Sequence, residues 1–177
     1  MNDITSRYDY VKKEVPDPQV KDVADQFFDA AEILWVPDSG VLIPAIINSV
    51  LAIELYLKSL NAYSVIKNLE DYGDGVRGGI VTVEPETSRH ELTKIFDVLE
   101  GGIKNALETA FARSSIFKSG ASFRDCLSTY DDVFIKVRYV YEDSSSFRRV
   151  NIVDLQQLMK LTRSIVESLP RKTVVLK

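Results

Sequence analysis

The segment at residues 42–61 constrains the fold of this chain more than any other part of its sequence. Its apolar side chains point in nearly every direction around a helix, and its only charged residues are Glu54 and Lys58. A helix with so little polar surface has to be covered on most sides by other elements. Pro44 is compatible with this interpretation because proline is tolerated in the first turn of a helix. We therefore expect residues 42–61 to form the central helix of a helical domain.

Four other segments carry apolar residues three and four positions apart, which is typical of an amphipathic helix. One of them begins with Ser88-Arg89-His90-Glu91, which has the form of a capping box. Another begins at Asn151, a favourable N-cap residue. These helices are expected at residues 19–35, 88–111, 122–141 and 151–169, with a break or kink at residues 101–102.

A glycine-rich stretch separates the second predicted helix from the third. Residues 73–78 match the dinucleotide-binding pattern G-x-G-x-x-G letter for letter. That motif works after a strand and at the start of a helix, whereas here it follows a predicted helix and precedes the β-branched residues 80–83. The sequence therefore predicts an all-α fold of about five helices in an up-and-down bundle. A Gly-rich loop or short β-hairpin is inserted between the second and third helices.

The length of 177 residues fits one domain. We expect a single domain at residues 1–177, with an N-terminal arm at residues 1–17 and a loop insertion at residues 66–87. The formal net charge of -4 argues against broad electrostatic capture of nucleic acid. Cys126 is the only cysteine, which excludes an intramolecular disulfide and a cysteine-based zinc site. We expect no metal and no cofactor.

The longest apolar run, residues 41–53, is interrupted by Pro44, Asn48 and Ser49. It is therefore too short and too polar for a membrane span, and we interpret it as part of a core helix. The first residues of the chain lack the apolar stretch of a secretory signal. A cytoplasmic location without membrane contact is the expectation.

Glu54 and Lys58 are the first candidate site residues, because an unpaired carboxylate in the least polar helix carries a large desolvation cost. Their i, i+4 spacing suits a buried ion pair or a pair of pocket-lining groups. His90 is the only histidine, and it is either a base or a structural neighbour of a helix start. Arg138 and Glu142 lie one turn apart and either face another helix or form a surface pair.

Three short blocks of this sequence resemble the E-L-x-L-K, H-[DE]-L and R-Y-x-[YF]-E blocks of HEPN-like proteins. The blocks are Ala52-Ile53-Glu54-Leu55-Tyr56-Leu57-Lys58-Ser59-Leu60, His90-Glu91-Leu92 and Phe134-Ile135-Lys136-Val137-Arg138-Tyr139-Val140-Tyr141-Glu142. The resemblance covers about residues 20–170. It implies an up-and-down helical bundle that commonly forms homodimers in toxin-antitoxin, phage-defence and RNA-processing systems of prokaryotes.

The resemblance also implies a site. Glu54, Lys58, His90, Arg138 and Glu142 would converge on one polar cluster, either a structural network or a site for a small anionic ligand or RNA. Many members are metal-independent ribonucleases that use an arginine followed after four to six residues by a histidine. Here residues 83–85 are Val, Glu and Pro, so the arginine of that motif is absent.

The expected function is an RNA- or protein-binding module of a prokaryotic defence or stress system, acting as a homodimer without the usual ribonuclease motif. The only basic cluster that RNA could use is modest, and no DNA-specific motif is present. One alternative is a noncanonical ribonuclease or nucleotidyl-chemistry enzyme, with His90 as base and with Arg138 and Lys58 stabilising phosphate charge. The other is a purely structural or adaptor protein. The basic cluster consists of Lys136, Arg138, Arg148 and Arg149.

Overall fold

The computed structural model of the chain describes residues 7–8, 10–36, 40–114, 117, 120–133, 136 and 150–176. Within these residues the fold contains six α-helices and a four-stranded β-sheet. The helices are α1 (Pro18–Leu34), α2 (Leu42–Ser59), α3 (Leu92–Asp97), α4 (Gly101–Arg113), α5 (Phe123–Ser128) and α6 (Ile152–Ser168). The strands are β1 (Val11–Val15), β2 (Ala62–Asp71), β3 (Arg77–Pro85) and β4 (Lys172–Val175).

The sheet has the strand order β3-β2-β1-β4, and every neighbouring pair is antiparallel. β2 and β3 form a hairpin, whereas β1 and β4 come from the two ends of the chain. Val11 of β1 lies opposite Val65 of β2, and Val15 lies opposite Lys172 of β4. The prediction of an all-α, five-helix bundle is therefore wrong, because the fold combines helices with an antiparallel sheet.

The two terminal strands explain this error. β1 reads Val-Lys-Lys-Glu-Val and β4 reads Lys-Thr-Val-Val, so both are short and rich in charged or polar residues. Segments of this kind become strands only when partners from elsewhere in the chain pair with them. The predicted N-terminal arm thus supplies a central strand, and the predicted insertion at residues 66–87 belongs to a hairpin that begins at Ala62.

The G-x-G-x-x-G letters lie at the turn of the β2–β3 hairpin. Gly73, Asp74 and Gly75 all have positive φ angles, of 85°, 51° and 78°, which suits glycine at the two outer positions. The turn is closed by bonds from Tyr72 N–H to Val76 O and from Val76 N–H to Gly73 O. Of the two predicted forms, a Gly-rich loop or a short hairpin, the structure shows a hairpin, but its strands of 10 and 9 residues belong to the sheet and are no mere insertion. The glycines shape the reverse turn between these strands.

The hydrophobic core is centred on α2, as its composition predicts. Ile53, Tyr56 and Leu57 of α2 are among the largest fully buried side chains of the described residues. α2 packs mainly against α1 and α6. It is also the one described helix with the length and composition of a membrane span, and 56% of that window is buried inside the fold. Core helices pass this test as well, so it is weak evidence for a span.

Two helix boundaries differ from the prediction. The Ser88–Glu91 capping box is absent: α3 begins at Leu92, and its N-cap residue Glu91 makes no side-chain capping bond. The long helix expected at residues 122–141 is interrupted, because α5 ends at Ser128 and residues 129–132 form turns. The predicted N-cap at Asn151 is confirmed, since its side chain accepts a bond from Asp154 N–H.

Candidate functional site

The site is built on a carboxylate of the central helix. Glu54 and Lys58 lie one turn apart on α2, and Lys58 Nζ donates to Glu54 Oε1 at 2.7 Å. The Glu54 side chain is only 4% exposed and that of Lys58 is 11% exposed. Charges so poorly solvated are stable only as partners, so each holds the other in place.

His90 joins this pair from a segment far away in the sequence. It follows the β2–β3 hairpin and precedes α3, and its Nδ1 lies 2.9 Å from the same Oε1 atom of Glu54. An ionised carboxylate can only accept hydrogen bonds, so we assign the Nδ1 proton to this contact. Because the side chain is 64% exposed, the ring faces solvent with Nε2 as its remaining nitrogen.

The second oxygen of Glu54 distinguishes the cluster from a closed ion pair. Oε2 is buried and has no hydrogen-bond partner among the described residues. A carboxylate has room for about four acceptor contacts, and here Oε1 receives both visible donors. A buried charged oxygen without a hydrogen bond carries a large desolvation cost. Oε2 is therefore the atom of the cluster at which a further donor would be most favourable.

α3 begins two residues after His90, and the Asp131 side chain caps this helix start. Its carboxylate accepts from Thr93 N–H at 2.8 Å and from the Thr93 hydroxyl at 2.5 Å. An acidic group at a helix N-terminus satisfies free amides and complements the helix dipole. This cap comes from 38 residues away, so no local sequence signal could have revealed it.

Most of the other predicted site residues fall in the part of the chain that the structure leaves undescribed. Arg138 and Glu142 lie outside the described residues, as do Arg148 and Arg149 of the predicted basic cluster. Lys136 is described; it is exposed and pairs with Asp132 at 3.0 Å. The structure thus brings together Glu54, Lys58 and His90, and the arginine contribution stays a prediction.

A second polar cluster, which the sequence did not suggest, joins α1, α2 and α6. The Tyr56 hydroxyl donates to Asp25 Oδ1 at 2.5 Å, and Lys21 Nζ lies 2.7 Å from Asp25 Oδ2. Arg163 of α6 lies 3.6 Å from Asp25 Oδ1 and stacks over the Phe28 ring at 4.3 Å. These contacts tie three helices together at one point, which indicates a structural role.

Electrostatics at this second cluster follow from burial and pairing. Burial raises the pKa of Tyr56, and the hydrogen bond to Asp25 raises it further. Burial also raises the pKa of Asp25, but bonds from Lys21 and Tyr56 and the positive charges of Lys21 and Arg163 outweigh it. The Asp25 pKa is therefore held below its usual value, and the carboxylate stays ionised over the neutral range.

Chemistry other than that of the Glu54 cluster finds little support in the described part of the chain. No group of three or more His, Cys, Asp or Glu side chains there is arranged to hold a metal ion. Burial raises the pKa of the Cys126 thiol, which disfavours the reactive thiolate. Cavities of about 620 Å³ between α4 and α6 and of about 470 Å³ beside β1 and β4 are lined by residues other than Glu54, Lys58 and His90.

Similarity to known proteins adds no assignment. Comparison of the chain with protein-family models, with curated proteins and with solved structures found no match. The resemblance to HEPN-like proteins therefore rests on the sequence blocks, two of which supply Glu54, Lys58 and His90.

Proposed function

We propose that the chain is an RNA-binding protein with a HEPN-like helical part, and that His90 and Lys58 contact RNA phosphate. The observation that carries this proposal is the exposed His90 ring held 2.9 Å from a buried Glu54 carboxylate, which also holds Lys58. Glu54 acts here as a positioning residue, since it is buried beneath the two nitrogen-bearing side chains.

The cluster offers a phosphodiester hydrogen-bond donors rather than a large positive charge, because Glu54 neutralises the charge of Lys58. The Lys58 ammonium carries three donors, one of which Glu54 already occupies. Nε2 of His90 lies on the solvent-exposed side of the ring, and it donates to a phosphate oxygen when the ring carries both protons. Arg89, next to His90, is exposed and contacts Glu91 only at 4.0 Å. An approaching phosphate therefore meets His90 beside Lys58, which share the Glu54 carboxylate, with Arg89 next to His90 in the chain.

A chain with a formal net charge of -4 binds RNA only through a local surface. We expect contacts to few phosphates and a shallow dependence of affinity on salt, with a slope of about -0.7 per phosphate neutralised on single strands. Single-stranded RNA is the expected ligand, because its backbone can follow a small site.

Fluorescence anisotropy with labelled single-stranded RNA tests this proposal at two salt concentrations. His90→Ala should weaken binding by roughly tenfold, which corresponds to the loss of one charge-assisted contact of about 1.4 kcal/mol. Lys160→Ala is the matched control, since Lys160 is an exposed lysine of α6 that pairs with Glu32 away from the cluster. Equal affinity of the wild type and His90→Ala, or no binding by the wild type, contradicts the proposal.

A metal-independent ribonuclease is the second candidate, favoured by the Glu54 to His90 contact itself. A carboxylate that accepts a hydrogen bond from Nδ1–H leaves Nε2 as the basic nitrogen, which is the arrangement of a general base. Nε2 would take the proton of a ribose 2′-hydroxyl, and the oxygen would attack the adjacent phosphorus. The P–O5′ bond breaks, giving a 2′,3′-cyclic phosphate and a 5′-oxygen that takes up a proton.

Cleavage of end-labelled RNA in the presence of a metal chelator separates the two candidates. Binding without cleavage supports the RNA-binding protein. Chelator-resistant cleavage that disappears in His90→Ala supports the ribonuclease, and cleavage that persists in His90→Ala excludes His90 as the base. A wild type that neither binds nor cleaves RNA leaves the protein-binding adaptor as the remaining interpretation.

A further inference from the structure

Among the residues that the structure describes, no strand pairs with the outer edge of β3. β3 is the terminal strand in the order β3-β2-β1-β4, so only β2 pairs with it. The bonds from Glu86 N–H to Asn61 O and from Tyr72 N–H to Val76 O show which β3 residues direct their backbone groups toward β2. In an antiparallel pair, residues whose backbone N–H and C=O groups face the neighbouring strand alternate with residues whose groups face away from it.

Because Glu86 and Val76 bond to the β2 side, the even-numbered residues of β3 direct their backbone N–H and C=O groups toward β2. The odd-numbered residues therefore turn their N–H and C=O groups to the open edge. Pro85 has no N–H, so the free donors are those of Arg77, Gly79, Val81 and Val83. A row of unpaired donors and acceptors of this kind is a template for another strand.

The side chains of β3 do little to protect this edge. Residues 78–83 read Gly-Gly-Ile-Val-Thr-Val and carry no charge, and Ile80 and Val81 are 59% and 55% exposed. Natural edge strands are usually blocked by lysine, proline, bulges or shortness. The bulge in this hairpin lies on β2, between Lys67 and Glu70, so β3 runs without interruption from Arg77 to Pro85.

The strand is complementary to a second copy of itself in one particular register. A two-fold axis in an antiparallel pair places some residue opposite its own copy, and Val81 is the midpoint of residues 77–85. Val81 is also an odd-numbered residue, so the pair at the axis exchanges both hydrogen bonds. Gly79 then lies opposite Val83, and Arg77 lies opposite Pro85, where the missing N–H of proline falls at the end of the ladder.

The distribution of charge along β3 also favours a second copy of the chain as the partner. With Val81 at the axis, the uncharged residues 78–83 of one copy face residues 79–84 of the other, and no ionic side chain of the strand meets its own copy. The opposite edge of the sheet is less suitable: β4 has only four residues, and its pairing with β1 leaves the backbone groups of Thr173 and Val175 as the free ones.

We propose that two copies of this chain associate through antiparallel pairing of their β3 strands about Val81, which joins their two four-stranded sheets into one. The interface is independent of the RNA-binding proposal, because Val81 lies on the sheet edge and the Glu54 cluster on α2. It names the surface for the homodimer that the sequence only suggests.

Analytical ultracentrifugation of the full chain over a range of concentrations tests this proposal with charge-swap variants. Val81→Lys and Val81→Asp should each weaken association by at least about tenfold, because like charges directly opposite destabilise a strand pair. An equimolar mixture of the two variants should associate again as a heterodimer. This rescue follows only if residue 81 meets residue 81, and it should weaken as salt is added.

A proline pair supplies the matched control. Val81→Pro and Val175→Pro each remove one outward donor from an edge strand, without removing a bond to the neighbouring strand. Val81→Pro should abolish association and Val175→Pro should leave it unchanged, with circular dichroism confirming that both variants are folded. A wild type that stays monomeric at about 100 μM, which corresponds to an association weaker than about -5.5 kcal/mol, overturns the proposal. So does failure of the mixed variants to associate, or dissociation by Val175→Pro alone.

Discussion

Nδ1 of His90 lies 2.9 Å from Oε1 of Glu54, although 36 residues separate them in the sequence. One side chain is buried in the central helix and the other is largely exposed. The carboxylate therefore fixes the imidazole from below while its outer edge stays accessible. A histidine held in this way is prepared for contact with a ligand, whether it binds phosphate or transfers a proton.

The Glu54 and Lys58 pair predicts an asymmetric response to mutation. Lys58→Met removes the main partner of a buried carboxylate and should lower the free energy of unfolding by about 3 kcal/mol. The double variant Glu54→Leu with Lys58→Leu removes both charges and should be close to the wild type, because no buried charge is left unpaired. Urea unfolding measures the free energy of unfolding of both variants. A double variant that is less stable than Lys58→Met contradicts this account.

The hydroxyl of Tyr56 predicts a stability loss at the second polar cluster. Tyr56→Phe keeps the buried ring but removes the donor to Asp25, so it should cost about 1.5–3 kcal/mol, as for a hydrogen bond to a charged group. Tyr72→Phe is the control, because Tyr72 lies exposed in the hairpin. Equal unfolding midpoints for the two variants would count against a structural role for the cluster.

The lowered pKa of Asp25 predicts how stability depends on pH. Burial alone would raise this pKa, but the bonds from Lys21 and Tyr56 and the nearby positive charges lower it. A carboxylate with a lowered folded-state pKa contributes stability above its unfolded pKa, near 3.9, and this contribution is lost as pH falls through the folded value. Urea unfolding at pH values from about 6 down to about 3 should therefore show a weaker decline in Asp25→Asn than in the wild type. Asp29→Asn, at an exposed position, should keep the wild-type profile.

Two glycines predict opposite responses to alanine. A Cβ at Gly79 would lie 2.6 Å from both Ile66 Cγ2 and Lys67 O, so Gly79→Ala forces the bulged hairpin apart and should destabilise it. A Cβ at Gly102 meets nothing within 4 Å, and alanine there should stabilise α4 by up to about 1 kcal/mol. Thermal unfolding of both variants tests this pair, and the opposite order of their midpoints would show that the hairpin packs differently.

The helices at residues 18–34, 42–59 and 152–168 are close to the sequence predictions, because their apolar periodicity and caps are local signals. The sheet could not be predicted in the same way. Lys12 and Lys13 of β1 are polar residues whose strand state depends on Ser64 and Tyr63, about 50 positions later. β4 follows Pro170 at the end of the chain and depends on β1. Pairing at such distances leaves no trace in a local pattern.

In the candidate site, too, contacts within one helix could be predicted from the sequence, whereas contacts between separate elements could not. The spacing of Glu54 and Lys58 predicts their contact on one helix face, whereas His90 was placed beside them only by the family resemblance. Asp131 and Asp25 were missed, because each acts on a residue more than 30 positions away. Interactions that join separate elements depend on the tertiary fold, which composition and periodicity do not specify.

The most direct test uses the fact that the chain has one histidine, so its imidazole nitrogens give a single set of NMR signals in an untagged protein. At about pH 8, where a histidine ring is ordinarily neutral, ¹⁵N spectra should show a protonated Nδ1 and an unprotonated Nε2. Addition of single-stranded RNA should then move the Nε2 signal toward that of a protonated nitrogen, because a phosphate oxygen accepts a hydrogen bond only from an N–H. A ring protonated at Nε2 and not at Nδ1, or an imidazole unaffected by saturating RNA, would contradict the proposed role of the Glu54 to His90 contact.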